Sequence, residues 1–264
     1  MNRRMVCHTV GLIVLLEAAL LFPSLVVSLI YADSCALAFL ITIGIALALG
    51  GAMIGIARPR TKVIYAKEGF AIVALSWVVL SAIGALPFFL SHEIPSYVDA
   101  FFETVSGFTT TGASILTDVE SMSEGLLFWR SFTHWIGGMG IIMFLLMLTQ
   151  FSEGHSLYIM RAEVPGPTVG KIAPKSSSNS LILYGIYSGL TVIEAIFLLF
   201  GGMGVFDAVT TAMSTAGTGG FSVRNAGIAA YESAYIEWIV AIFMLIFGVN
   251  FNLYYLILLR RFKI

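Results

Sequence analysis

Hydrophobic residues fall along this chain in six long runs, at approximately 6–30, 35–57, 69–90, 126–150, 181–203 and 234–259. Each is long enough for a membrane-crossing helix, which needs about 20 mostly apolar residues. Two shorter segments, 97–108 (YVDAFFETVSGF) and 206–216 (FDAVTTAMSTA), also carry a helical pattern. A helix of that length reaches only about 18 Å, against a hydrocarbon core of about 30 Å. The flanking spans put both ends of each short segment on the same side. Each is therefore expected to dip into the membrane and return as a re-entrant hairpin. Irregular backbone at that depth is tolerated only where protein or a water-filled cavity surrounds it. The first run is too long for the apolar region of a signal peptide, and Pro23 is expected to kink it.

Composition agrees with this pattern. Of 264 residues, 58% are hydrophobic and 11% charged, and mean hydropathy is +0.94. Soluble domains carry about 25% charged residues. A soluble enzyme, a nucleic-acid binder and a disordered chain are excluded. The net charge of −1 offers no basic patch for nucleic acid. If the six runs alternate, twelve of the 14 lysines and arginines share one side, leaving only Arg130 and Arg224 elsewhere. That side is cytoplasmic by the positive-inside rule, so both termini are expected inside. Ten of the 15 acids lie on or near the outer side. They form either a solvated surface or a mouth that concentrates cations. Cys7 and Cys35 lie near opposite faces, cannot bridge, and read as small buried hydrophobes.

The chain repeats itself at an offset of 108 residues. Asp99-Ala100 falls on Asp207-Ala208, Ser106 on Ser214, Thr110 on Thr218, Gly112 on Gly220 and Ser114 on Ser222. Each copy is a spanning helix, a short helix, a Thr/Gly/Ser run and a second spanning helix. The runs are Thr109-Thr110-Thr111-Gly112-Ala113-Ser114 and Gly217-Thr218-Gly219-Gly220-Phe221-Ser222. Such a run can turn a row of carbonyls inward to replace the hydration shell of an ion. Glycine permits the dihedrals this requires. Asp99 and Asp207 fall in the first turn of the short helices, where a carboxylate suits the positive end of the helix dipole.

The unit of helix, half-helix, filter strand and helix resembles the potassium-channel pore unit. The strings SGFTTTGAS and STAGTGGFS, with FWRSFTHWIGGMGI at 128–141, resemble the Trk/Ktr/HKT superfamily of potassium transporters. The extra N-terminal helical pair resembles its bacterial TrkH branch. The fold implied is an all-α membrane protein of six transmembrane helices and two re-entrant half-helices with filter strands. Its parts are an N-terminal hairpin (1–67), a first pore unit (68–152), a cytoplasmic linker (153–180) and a second pore unit (181–264).

The resemblance further implies potassium as transported substrate and no tightly bound cofactor. Potassium would be held at Thr110, Thr111, Gly112, Thr218, Gly219 and Gly220, with Ala113 and Phe221 completing the filter strands. Asp99, Glu103, Arg130, Asp207 and Arg224 would support the filter, Arg130 by bonding an acid such as Glu103. Serine at the first filter glycine accompanies sodium preference in the plant branch, so Gly112 points to potassium. Relatives are homodimers in the bacterial inner membrane that bind a cytosolic nucleotide-binding regulatory ring, with 151–180 a candidate docking loop.

Family members carry four pore units and this chain carries two. It is expected to be the N-terminal half of a transporter, or else to pair with a second copy. The alternative is a non-conducting membrane protein that binds or regulates a full-length transporter.

The remaining candidates have ordinary readings. Glu17 and Glu194 lie within spans and read as structural acids, although a buried membrane acid is a functional candidate by default. His134 reads as a helix-packing hydrogen bonder, and His8, His92 and His155 have no metal-ligand spacing. Gly137-Gly138-Met139-Gly140 reads as close helix packing rather than a phosphate loop. Asn250 and Asn252 read as packing residues. Lys175-Ser176-Ser177-Ser178-Asn179-Ser180 reads as a turn and helix cap. No catalytic motif is present.

Overall fold

The computed structural model describes residues 2–59, 66–140, 176–251 and 253–254. Among the described residues the chain is helical, with no strand. The first apolar run is two helices, α1 (Arg3–Leu20) and α2 (Phe22–Tyr31), which meet at Leu21 with Pro23 in the first turn of α2. That is the expected kink: proline lacks the N–H that would continue the ladder. The second run is α3 (Ala36–Ile56). The third is α4 (Ala66–Gly84) and a short α5 (Leu86–Leu90), again divided at a proline, Pro87.

The short segments are the half-helices α6 (Tyr97–Phe108) and, later in the chain, α9 (Val205–Ala216), with the lengths the sequence predicts. Between them lie α7 (Glu124–Met139) and α8 (Ser176–Phe200). A one-turn 3₁₀ helix (Gly227–Tyr231) precedes α10 (Ala234–Gly248).

Among the described residues, four helical stretches are long and apolar enough to cross a membrane, at Arg3–Tyr31, Ala36–Ile56, Lys67–Leu90 and Leu181–Phe200. The described part of α7 is shorter, and residues 141–150 of the fourth run lie outside the described residues. α10 ends at Gly248, ahead of the expected 259, and Val249 leaves helical geometry at ψ 142°. Ser176–Ser180 are already helical, which corrects the reading of this stretch as a turn. The candidate docking residues 151–175 and Asn252 lie outside the described residues.

α7 is the central element. It packs against α2, α6 and α9, while α1 lies along α3 and α4. Its first turn is held by two acids from other elements. Ser123 N–H and its hydroxyl both donate to Glu93, the former at 2.9 Å, and Gly125 N–H donates to Asp33 Oδ2 at 2.9 Å. These carboxylates satisfy helix amides that no intrahelical carbonyl reaches. Asp33 also accepts from the Ser28 hydroxyl and, at 2.9 Å, from the Cys35 thiol. Cys35 is thus buried but polar in its contacts, a correction to its reading as a simple hydrophobe. At the other end α7 stops at Gly140, φ +76°, whose carbonyl accepts from Tyr184 Oη at 2.8 Å.

The outward faces are apolar. Along α3, Leu37, Leu40, Ile41, Ile45, Leu47 and Leu49 are exposed. A water-soluble fold would bury such a row; beside lipid tails it needs no cover.

Candidate functional site: two half-helices and their return segments

Both half-helices end in the same unusual way. α6 closes with Thr110 N–H donating to Gly107 O at 3.0 Å and Thr111 N–H to Ser106 O at 2.9 Å. This is the double bond of a Schellman cap, which needs a left-handed residue at the turn. Glycine normally fills that place; here it is Thr110, with φ +54°. At the end of α9, Thr218 N–H donates to Thr215 O at 2.8 Å and Thr218 also has φ +54°. A β-branched residue in this region is a genuine outlier, of the kind that clusters at functional sites. Two residues on, Gly112 (φ +76°) and Gly220 (φ +81°) are left-handed as well. The 108-residue repeat is therefore also a repeat of backbone conformation.

The two return segments meet. A Cβ on Gly112 would lie 1.8 Å from the Gly219 carbonyl oxygen, and one on Gly219 would lie 2.9 Å from Thr110 O. Nothing lies within 4 Å of a Cβ on Gly220. The segments are irregular extended backbone rather than ladder-paired strands.

α7 is the common wall behind both. A Cβ on Gly137 would come within 2.2 Å of Phe108 O, the last residue of α6. One on Gly138 would come within 3.1 Å of Ala216 O, the last residue of α9. The glycine pair is close packing, as expected, but what it receives is the C-terminus of each half-helix. Two turns earlier, Arg130 joins the far ends of the segments. Its Nε donates to Glu103 Oε1 at 2.6 Å and its Nη1 to Ser222 O at 2.8 Å. Glu103 in turn accepts from Ser114 Oγ at 2.9 Å and Ile115 N–H at 3.0 Å. Arg130 and Glu103 are 3% and 1% exposed, so the pair is desolvated and each charge depends on the other.

The second unit has its own ion pair at the surface. Arg224 donates to Asp207 Oδ2 from Nη2 at 2.8 Å and from Nε at 3.0 Å, and Tyr231 Oη donates to the same oxygen at 2.8 Å. Burial, then the neighbouring Asp207 carboxylate, pushes the Tyr231 phenol up to about 12, and the bond to Asp207 raises Arg224 as well. Asn225 ties the two outer loops together. It accepts from Val119 N–H at 2.7 Å, and donates to Asp118 Oδ1 at 2.8 Å and to Glu120 Oε1 at 3.0 Å.

Of the residues selected from the sequence, Thr110, Thr111, Gly112, Thr218, Gly219 and Gly220 lie together on the return segments, with Ala113 exposed beside them. Glu103 and Arg130 come together at the ends of the return segments, and Asp207 and Arg224 form the surface pair. Asp99 is exposed at the start of α6 and has no ion pair among the described residues. Phe221 is 3% exposed and turns its ring into α7, 3.6 Å from the Arg130 guanidinium carbon. Asn225 and Tyr231 were not selected; nothing in local spacing marks them. Many outer acids hold internal donors: Asp33, Glu93, Glu103, Asp118, Glu120 and Asp207. Glu17 and Glu194 are fully buried.

Apolar helices interrupted by a repeated half-helix and left-handed return segment define a multi-pass membrane protein. Residues 36–263 match the TrkH family, described as cation transport proteins. The chain belongs to that family, whose members are transporters and not enzymes. It is 40% identical over 265 residues to the Trk system potassium uptake protein TrkH of Escherichia coli K12, covering 99% of this chain and 54% of that protein. It is 31% identical over 260 residues to TrkG of the same organism, covering 98% of this chain and 54% of that one. The crystal structure of the potassium transporter TrkH from Vibrio parahaemolyticus superimposes with a TM-score of 0.83 at 32% identity, over 97% of this chain and 52% of that one. The chain spans about half the length of the curated relatives it matches.

Proposed function

We propose that the chain is pore-forming in a Trk-type potassium uptake system, with residues 110–113 and 218–221 supplying two of four carbonyl-lined filter segments. The observation that carries this is the recurrence, 108 residues apart, of a left-handed threonine and a left-handed glycine at the end of a half-helix. Such backbone turns carbonyls that helices keep to themselves toward an ion. Each half-helix points its negative C-terminal end at the same place. The remaining two segments come from the rest of a longer transporter or from a second copy. Arg130 and Glu103 hold the filter ends; Asp207 and Arg224 brace the second unit.

In this reading the chain has six membrane spans, two re-entrant half-helices and both termini in the cytoplasm. It sits in the inner membrane with the four-part division given by the sequence. Dimer formation and a cytosolic nucleotide-binding regulatory partner follow from the same family reading. Glycine at 112 favours potassium over sodium.

The test is rubidium uptake in cells stripped of their own potassium uptake systems. Uptake that is present with the chain in the membrane and lost in Gly112→Asp supports a working filter. Absence of uptake from inserted chain would mean that the remaining two segments are required and that the chain is part of a longer transporter; co-purification with a full-length relative would instead favour a non-conducting, partner-binding role.

A further inference from the structure

We propose that His134 is a positioning residue that tunes ion selectivity by setting the place of the second filter segment. This rests on the reading of 110–113 and 218–221 as filter. His134 is 0% exposed and lies one turn beyond Arg130 on the same face of α7. Its ring centroid is 4.0 Å from that of Phe221, the planes inclined by 30°. A Cβ on Gly219 would come within 2.5 Å of its Nε2, so the tip of the imidazole touches the backbone of the segment. Its own carbonyl oxygen stands 2.7 Å from where a Cβ on Gly217 would be. One residue thus meets the segment at 217, 219 and 221.

The imidazole faces the Ser106 backbone near the end of α6, without a hydrogen bond of ordinary length and angle. As a helix-packing residue it thus stands between both half-helices, and its ring adds a rigid, flat contact with Phe221. Leu or Ile could fill the space but would not reproduce that flat contact.

The brace belongs to the second segment alone. The position 108 residues after His134 is Ile242, which is 45% exposed, and the position 108 before Phe221 is the exposed Ala113. The Gly219 carbonyl is also the group against which Gly112 packs. A small displacement of Gly219 therefore moves both segments, and carbonyl spacing and field decide which ion replaces its water most readily.

The experiment measures rubidium and sodium uptake in parallel, in cells lacking their own potassium uptake systems and with chain in the membrane confirmed by immunodetection. The variants are His134→Leu and His134→Gln, with Gly112→Asp as the filter control. The ratio of the two ions is read, because a loss of folded protein lowers both uptakes together. His134→Leu should lower the rubidium-to-sodium ratio about tenfold, a 1.4 kcal/mol difference in preference. His134→Gln, whose planar amide reaches the place of Nε2, should retain more of it. An unchanged ratio in His134→Leu, with uptake still abolished by Gly112→Asp, overturns the role of His134 and leaves the filter reading intact. Uptake that survives Gly112→Asp overturns both. If the parent chain takes up neither ion alone, the same variants are read in a longer transporter that contains this chain, with the same expected ratios and the same overturning results.

Discussion

Gly112 packs so closely on Gly219 that a Cβ on the former would sit 1.8 Å from the carbonyl oxygen of the latter. No heavy atoms occupy such a distance without bonding, and the obstacle is backbone, which cannot rotate aside. Gly112 also holds φ +76°, where a side chain adds strain. Gly112→Ala is expected to abolish rubidium uptake while the chain still reaches the membrane. Gly44→Ala, whose Cβ meets nothing within 4 Å, is the matched control and should retain uptake. Equal uptake in the two variants would remove the close approach from the account.

Glu103 neutralises Arg130 where neither reaches water. Replacing it with leucine strands a buried guanidinium and frees Ser114 and Ile115 from their acceptor. Removing one partner of a buried ion pair destabilises by about 3–5 kcal/mol. Thermal unfolding of the detergent-solubilised protein should show Glu103→Leu melting well below the parent. Asp99→Leu, at an exposed position, should melt close to it. Similar midpoints for both would deny the Arg130–Glu103 pair its structural role.

The glycines of α7 and α8 should respond in opposite directions to alanine. A Cβ on Gly137 meets Phe108 O at 2.2 Å, whereas one on Gly185 meets nothing within 4 Å. Gly137→Ala should destabilise by at least the ~1–3 kcal/mol typical of overpacking. Gly185→Ala should be neutral or stabilise by about 0.5–1 kcal/mol, since alanine is the better helix former. The same melting measurement decides, and a stable Gly137→Ala would show that α7 does not seat the end of α6.

Tyr231 makes the alkaline stability of the outer loop measurable. Burial and Asp207 raise its phenol from an ordinary 10.0 to about 12. The fold thus favours the protonated phenol. The stabilisation is fully present below pH 10 and is lost as pH rises toward 12. Tyr231→Phe should melt lower than the parent at pH 8, and the gap should narrow between pH 10 and 12. A gap independent of pH would mean that the hydroxyl contributes nothing through Asp207.

Much of the architecture is legible in the sequence, for a physical reason. The bilayer sets a length, so a run of apolar residues either spans it or does not. Segments 97–108 and 206–216 could therefore be recognised as half-helices, and α6 has those limits. The offset of 108 residues likewise marked Thr110 with Thr218 and Gly112 with Gly220, because repeated backbone geometry needs repeated residue types. Prolines 23 and 87 break their helices locally, since a missing N–H acts within one turn. Where a helix ends is less legible: α10 stops at Gly248, within the run expected to continue to 259 and just before Asn250.

The sequence by itself therefore determined the membrane class, the half-helices and the repeat with its return segments, all of which rest on composition, length and local period. Only the tertiary structure decided what each side chain meets. Arg130 meets Glu103, as the family resemblance led one to expect, but it also reaches the Ser222 carbonyl across 92 residues, and no periodicity encodes that distance. Phe221 turns from its return segment toward α7, and His134 meets that segment at 217, 219 and 221, because α7 runs behind both segments. Asp33 and Glu93, two of the acids on or near the outer side, hold the first turn of α7. Contacts of this kind are settled by which surfaces close on one another, and that is a property of the packed chain.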